Sequence, residues 1–474
     1  MAPELFLLGA TCLLLLIDLF VSSQRRGLTH FLSILILVGT AVLTLRQGIA
    51  DAVGVRSFGG MFIRDGMADT LKLFIYLLTG GAFVYAKPYL MDRGLFKGEF
   101  YVLCLFAVLG MMVLISAGHL VTIYLGLELL ALSSYALVAM DRENRLASEA
   151  AMKYFVLGAL ASGMLLYGLS MIYGATGSLD ISEIHIAAAA LDGDKTLLVF
   201  GLVFVLVGIA FKFGAAPFHM WLPDVYHGAP TAVTLFIGSA PKLAAFGMAY
   251  RLLAGAAGPQ VAEWGAMIGW LAVLSLVIGN LLALVQSNLK RMLAYSTISH
   301  VGFLFVGLAA GSVEGYSAAM FYAISYALMA AGAFAMIILL SRKGFEADEI
   351  RDFRGLNQRH PLYAGAMLFL MASLAGIPPF LGFWAKLLVL QAAINAGLLW
   401  LAIVAVVFAV IGAFYYLKVM KVMYFDAPGD DDMPAQADPQ LRFLLVLNAA
   451  AMLLLGLFLN PLAALCKQAF GIVG

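Results

Sequence analysis

Runs of about twenty apolar residues, the length that carries a helix across a bilayer core, recur fourteen times along this 474-residue chain. They lie near 3–22, 29–46, 68–87, 100–118, 120–140, 149–174, 196–221, 230–253, 261–287, 292–310, 315–341, 361–396, 398–424 and 441–460. Nothing constrains the fold more. Hydrocarbon offers backbone N–H and C=O groups no partner, so each run must close its own hydrogen bonds as a helix. Apolar residues make up 63% of the chain and charged residues only 12%, with a mean hydropathy of +0.99. The expected fold is an all-α polytopic membrane protein, one membrane domain over 1–474. The first run predicts a span rather than a cleaved leader: no basic residue precedes it, Asp18 interrupts it and Arg25-Arg26 follows as a stop.

Lysine and arginine set the orientation. Counted over alternate loops, seventeen fall on one side, Lys290 and Arg291 among them, and six on the other, Arg251 among them. The remaining five of the 28 (Lys72, Lys153, Lys212, Lys242 and Lys386) lie within spans. The richer side is the inner one, which puts both termini outside, as an even number of crossings requires. Asp18 and Lys72, near span ends, read as interfacial, and the acidic stretch 426–432 as a solvated loop.

Bulk features exclude several functions. A net charge of +1 leaves no footprint for nucleic acid. Cys12, Cys104 and Cys466 are scattered, which argues against an iron–sulfur or zinc site. The seven histidines are not paired on facing spans, so bis-histidine haem is not expected. No phosphate-binding glycine loop is present. The non-membrane pieces are too short for a soluble domain.

What remains is charge in the wrong solvent. Lys212, Lys242, Lys386 and Glu128 each sit deep inside an apolar run, where an ion costs several kcal/mol and marks function. Two of the lysines accompany a proline break. In 208-GIAFKFGAAPFHMWLPD-224, Pro217 removes a helix hydrogen bond and Gly214 weakens the turn. An ordinary kink would do this. So would a broken helix whose freed carbonyls line a wet cavity. Lys212 precedes the break, roughly 22 Å into its span at helical rise. In 373-SLAGIPPFLGFWAK-386, Pro378-Pro379 makes a straight helix over 361–396 implausible, and Lys386 either snorkels or stays beside that break. Lys242 and Glu128 are central in their spans. Glu128 is either held by Ser or Tyr hydroxyls or paired with Lys212, a coupled unit in low dielectric. Glu149 and Lys153, four apart near the inner boundary, form a boundary ion pair or the start of a proton path. His219 and His300 either relay protons or pack as hydrogen-bonded core residues. Lysine that titrates when buried, repeated in one membrane protein, points to proton movement.

The stretches 212-KFGAAPFHMWLPDVYHGAPTAVTLFIGSAPKLAAFG-247, 289-LKRMLAYSTISHVGF-303 and 375-AGIPPFLGFWAK-386 resemble the antiporter-like subunits of respiratory complex I, relatives of the multisubunit cation/proton antiporters. The resemblance runs over essentially the whole chain. It implies two inverted five-helix repeats, here 100–255 and 261–425, with three peripheral helices in 1–90 and a final helix and tail in 440–474. It also implies roles: Glu128 modulates Lys212, Lys242 relays laterally, and Lys386 delivers protons outward. The expected location is the bacterial cytoplasmic membrane. Expected partners are the other antiporter-like subunits, the small membrane subunits that lead to the quinone site, and lipid. NADH, FMN, iron–sulfur clusters and quinone would belong to partner subunits, with no cofactor here. A stand-alone or Mrp-type cation/proton antiporter subunit is the alternative.

Overall fold

Helices begin where the sequence supplies a cap. The side chains of Asp65, Asn144, Asp180, Asn288, Ser312 and Asp438 each accept from a first-turn N–H. The computed structural model describes residues 1–22, 25–51, 53–191, 193–428 and 438–472, so the acidic stretch 426–432 lies outside the described residues from 429 on. The chain runs α1 (Ala2–Asp18), α2 (Gly27–Arg46), a hairpin of β1 (Val55–Ser57) and β2 (Phe62–Arg64), α3 (Gly66–Asp92), α4 (Gly98–Ile115), α5 (Leu120–Val138) and α6 (Arg145–Thr176). A short α7 (Ile181–Ala190) precedes α8 (Thr196–Phe213), α9 (Trp221–Gly228), α10 (Thr231–Gly238) and α11 (Ala240–Tyr250). Then follow α12 (Val261–Leu284), α13 (Leu289–Ala309), α14 (Val313–Leu340), a single turn α15 (Leu356–Arg359), α16 (Pro361–Ala375), α17 (Leu381–Asn395), α18 (Leu399–Phe425), α19 (Pro439–Leu457) and α20 (Asn460–Gln468).

Among the described residues, twelve helical segments are long and apolar enough to cross a membrane. Adding α1 and counting the interrupted pair α16–α17 as one crossing is consistent with the fourteen read from sequence. The segment α10–α11 is enclosed by protein over its whole length, and α13 and α14 nearly so, whereas α6, α18 and α19 expose most of theirs. Lys242 therefore stands at the centre of the bundle, and leucine and phenylalanine faces such as Leu160 and Phe414 look outward.

Both expected breaks are present, and they share a local design. α8 ends at Gly214 (φ 75°) and α16 at Gly376 (φ 83°), left-handed positions that glycine adopts at little cost. Each glycine is followed by Pro-Phe at the third and fourth positions, Pro217-Phe218 and Pro379-Phe380, and each of those prolines follows a cis peptide bond.

Two cations that the sequence places near span ends or in loops are packed inside the protein. Lys72 is one. It is buried, with its amine 2.7 Å from Glu4 on α1 and 5.1 Å from the centre of the Phe62 ring. Proximity to a span end could not reveal an acid sixty-eight residues away. Arg251, counted with the outer loops, is likewise buried, 2.6 Å from Asp65 and bonded through Nε to the Ile115 carbonyl. Asp18 ends α1 by taking Arg26 at 3.1 Å and Thr29 at 2.6 Å. The hairpin, α7 and α20, which fall in the segments that the basic-residue count reads as outer, were not expected. They arise because the outer loops knit together: Phe62 bridges to Ala117, and His119 to Asp180.

Breaking the Glu4–Lys72 pair tests this packing. Lys72→Met alone should destabilise the folded chain by up to about 3–5 kcal/mol, because the buried Glu4 carboxylate loses its nearer cation and keeps only the N-terminal ammonium at 3.5 Å. Adding Glu4→Gln should recover much of the loss, read as the thermal midpoint in detergent. Equal midpoints for the single variant and the parent would show that the pair carries no load.

Candidate functional site

A proline cannot donate to the carbonyl four residues before it. Pro217 thereby orphans the carbonyl of Phe213, while Pro378 and Pro379 orphan those of Leu374 and Ala375. These are the carbonyls the lysines use. Lys242 Nζ, on α11, donates to the Phe213 oxygen at 2.7 Å. Lys386 Nζ, on α17, donates to Leu374 at 3.2 Å and Ala375 at 2.8 Å. Helix C-terminal carbonyls carry the negative end of the helix dipole, so they stabilise an ammonium without a carboxylate. Lys242 is 3% exposed and Lys386 is 9%, so neither snorkels to the surface. Aromatic faces complete each seat, with Trp221 5.7 Å from Lys242 and Phe303 5.2 Å from Lys386.

Lys212, one residue before the Phe213 carbonyl and 9% exposed, faces a different setting. It lines a cavity of about 20 Å³ with Glu128, Tyr135, Tyr154 and Ser162, large enough for one water. Glu128 interacts with Lys212 electrostatically, but no contact within 4.0 Å joins them. Its carboxylate accepts instead from the Ser162 hydroxyl on α6. Of the two readings left open by the sequence, the hydroxyl holds: Ser162 takes the carboxylate, and Glu128 and Lys212 line the same cavity without direct contact. Glu128 is half-buried on the α5–α6 surface. Lys212 and Lys242 also interact through their charges.

The weaker candidates separate. Lys153 lies 2.9 Å from Glu149 and 2.7 Å from Asp224, which also holds Arg291 at 3.0 Å. That cluster ties α6, α9 and α13 together at the inner boundary. His219 is half-buried in the first break, its Nδ1 buried without a hydrogen bond, and it is not joined to the lysines. His300 is buried on α13. Its ring nitrogens lie 2.7 Å from the Tyr322 hydroxyl and 3.0 Å from that of Tyr416. With Lys386 it lines one tight polar gap, and the lysine charge acts on the imidazole.

Sequence reasoning missed the hydroxyl network around His300. Tyr416 bonds Ser296, Tyr326 stands 2.6 Å from Thr297, and Tyr415 donates to Asn280 at 3.2 Å. Asn280 in turn donates to Ser299 at 2.9 Å. Its signal was visible as tyrosines spaced four apart in 322-YAISY-326 and the pair 415-YY-416, inside otherwise apolar spans. The arrangement can hold a proton on an amine, pass it through hydroxyls, and keep it from bulk water.

The chain as a whole resembles known proteins. The family described as NADH:quinone oxidoreductase/Mrp antiporter, TM, matches residues 117–412. A protein named NADH-quinone oxidoreductase subunit N, from Xanthomonas euvesicatoria pv. vesicatoria, is 57% identical over 99% of this chain and 96% of its own. A chain of respiratory complex I from Thermus thermophilus, solved with aureothin, superposes with a TM-score of 0.82 at 33% identity, covering 98% of each chain. A chain of the Mrp complex from Dietzia sp. shares the fold, with a TM-score of 0.85 at 24% identity over 99% of this chain and 96% of that one.

Proposed function

The chain belongs to the NADH:quinone oxidoreductase/Mrp antiporter transmembrane family, and from that membership we propose that it is a proton-translocating membrane-arm subunit of an NADH:quinone oxidoreductase, of the N type. It is a multi-pass protein of the bacterial cytoplasmic membrane, assembled with the other antiporter-like subunits and with the small membrane subunits that lead to the quinone site. NADH, flavin, iron–sulfur clusters and quinone react in partner subunits, and their reaction drives this one.

One observation carries the proton reading: two buried amines seated on carbonyls that proline breaks have orphaned. In this reading Lys212 takes a proton under the influence of Glu128, Lys242 relays it across the bundle centre, and Lys386 passes it toward the outer side with His300 beside it. Glu128, half-buried at mid-membrane depth, faces a neighbouring subunit rather than lipid, since a carboxylate in hydrocarbon is costly. Residues 100–255 and 261–425 are two five-helix repeats. Five is odd, so a second copy must enter the membrane from the opposite side, which inverts it. The shared glycine–proline design of the two breaks supports this pairing.

An Mrp-type cation/proton antiporter is the second reading, favoured by the shared fold alone. Purifying the assembled complex separates them, because only an NADH:quinone oxidoreductase brings flavin and NADH oxidation with it. In proteoliposomes of that complex, Lys212→Ala should lower NADH-driven proton pumping by about tenfold or more, since a positioned proton-transfer group contributes about 10²–10⁴-fold to the step it serves, with flavin content unchanged. Full pumping by the alanine variant would remove Lys212 from the path.

A further inference from the structure

At the inner end of α13 stands a charge that this mechanism leaves unused. Lys290 falls among the loop cations when basic residues are counted along the sequence, yet its side chain is 3% exposed. Its amine donates to the Ala229 carbonyl at 2.9 Å, with no carboxylate within 4.0 Å. The carboxylates of Glu346 and Asp348, in the inner segment between α14 and α15, act on it from farther off, as does Arg93 with opposite sign. Glu346 is itself held by Arg93, Thr231 and the Tyr89 hydroxyl, the last at 3.1 Å. A buried ammonium without a contacting anion is expensive. If its only task were to brace a backbone carbonyl, a neutral donor would do it at lower cost.

The polar groups above it form a ladder. Thr234 Oγ1 lies 3.4 Å from the same Ala229 carbonyl and 3.1 Å from that of Tyr226. The Tyr226 hydroxyl is fully buried, makes no hydrogen bond of ordinary geometry, and interacts with the Thr297 side chain. Thr297 is 2.6 Å from the Tyr326 hydroxyl, and the Tyr326 ring lies 5.1 Å from that of His300. Lys290, Thr297 and His300 are seven and ten residues apart. That puts them on one face of α13, about 10 and 15 Å along it. The next group beyond His300 is Lys386.

Resting on the translocation reading above, we propose that Lys290 is the inner-side proton acceptor of this chain. Tyr226, Thr297 and Tyr326 are the hydroxyl ladder that carries the proton toward His300 and Lys386, with one water bridging Lys290 to Tyr226 and another bridging Tyr326 to His300, pairs that no direct hydrogen bond joins. Each step breaks one N–H or O–H bond and forms another. The amine gives its proton to the first water and is reloaded from the Glu346–Asp348 side, each water and hydroxyl takes one proton as it releases its own, and one proton moves with no other bond changed.

The test uses the assembled complex in proteoliposomes. Lys290→Arg keeps the charge and the donor to Ala229 but does not release its proton. Tyr226→Phe with Thr297→Val removes two hydroxyls with little change of volume. Both variants should cut NADH-driven proton pumping about tenfold, with flavin content and NADH oxidation by an artificial acceptor unchanged. Pumping at the parent rate in Lys290→Arg would reduce Lys290 to a structural cation and overturn the proposal. Parent pumping in the Tyr226→Phe, Thr297→Val pair would overturn the ladder, and that pair decides the matter should the arginine variant not assemble. Lys386→Met serves as the reference. If it too pumps normally, the translocation reading itself fails. If it stops while the inlet variants run, only the inlet is wrong.

Discussion

Methionine in place of Lys386 is expected to cut quinone-coupled proton pumping by about tenfold or more, in line with loss of a positioned proton-transfer group. NADH oxidation by an artificial acceptor, which bypasses the membrane arm, should be unaffected. The apolar stem survives in methionine, so the packing of α17 against α13 and α14 is kept. What is lost is the amine on the Leu374 and Ala375 carbonyls and the charge beside His300. Lys386→Arg separates the two contributions, because arginine can restore the hydrogen bonds but holds its proton. Pumping rescued by arginine would mean that Lys386 serves the fold and not the traffic.

Gly376→Ala should do nearly as much damage without touching a charge. The glycine has φ of 83°, and an added Cβ would stand 2.9 Å from Lys386 Cδ and 3.1 Å from its Nζ. The left-handed backbone alone costs an alanine about 1–2 kcal/mol, and the methyl group pushes the amine off its carbonyls. Coupled pumping should fall about fivefold, as it would on displacing a proton carrier. Gly365→Ala on the same helix is the control, since its Cβ meets nothing within 4 Å and it should pump normally. If Gly376→Ala matched that control, the seat of Lys386 would not be needed for transfer.

Much of this was readable from residues. Apolar length gave the spans, Pro217 and Pro378-Pro379 gave the breaks, and four charges in apolar surroundings gave the candidate site. Even the seats of Lys242 and Lys386 were implicit, because a proline names the carbonyl it orphans four positions earlier. Other features needed three dimensions. Whether Lys290 is solvated or buried depends on how the inner segment folds over the end of α13, and a count of basic residues per loop cannot distinguish the two. Sequence left Glu128 between a neighbouring hydroxyl and Lys212, and only the packing of α5 on α6 shows that Ser162 takes the carboxylate. The network around His300 draws on α12, α13, α14 and α18, with no local pattern joining them.

The carbonyl seats have one more implication. An oxygen of this kind accepts a hydrogen bond from –NH3+ and from –NH2 alike, so on the proposed path Lys242 and Lys386 keep a mooring when empty, although the helix-end dipole holds the charged form more firmly. A carboxylate would grip the loaded form harder still and let go of the empty one. Berths that never fully release their cargo's carrier do not by themselves decide when the cargo departs. Timing must come from the charges nearby, which makes the gap between Glu128 and Lys212 the place to look for the clock.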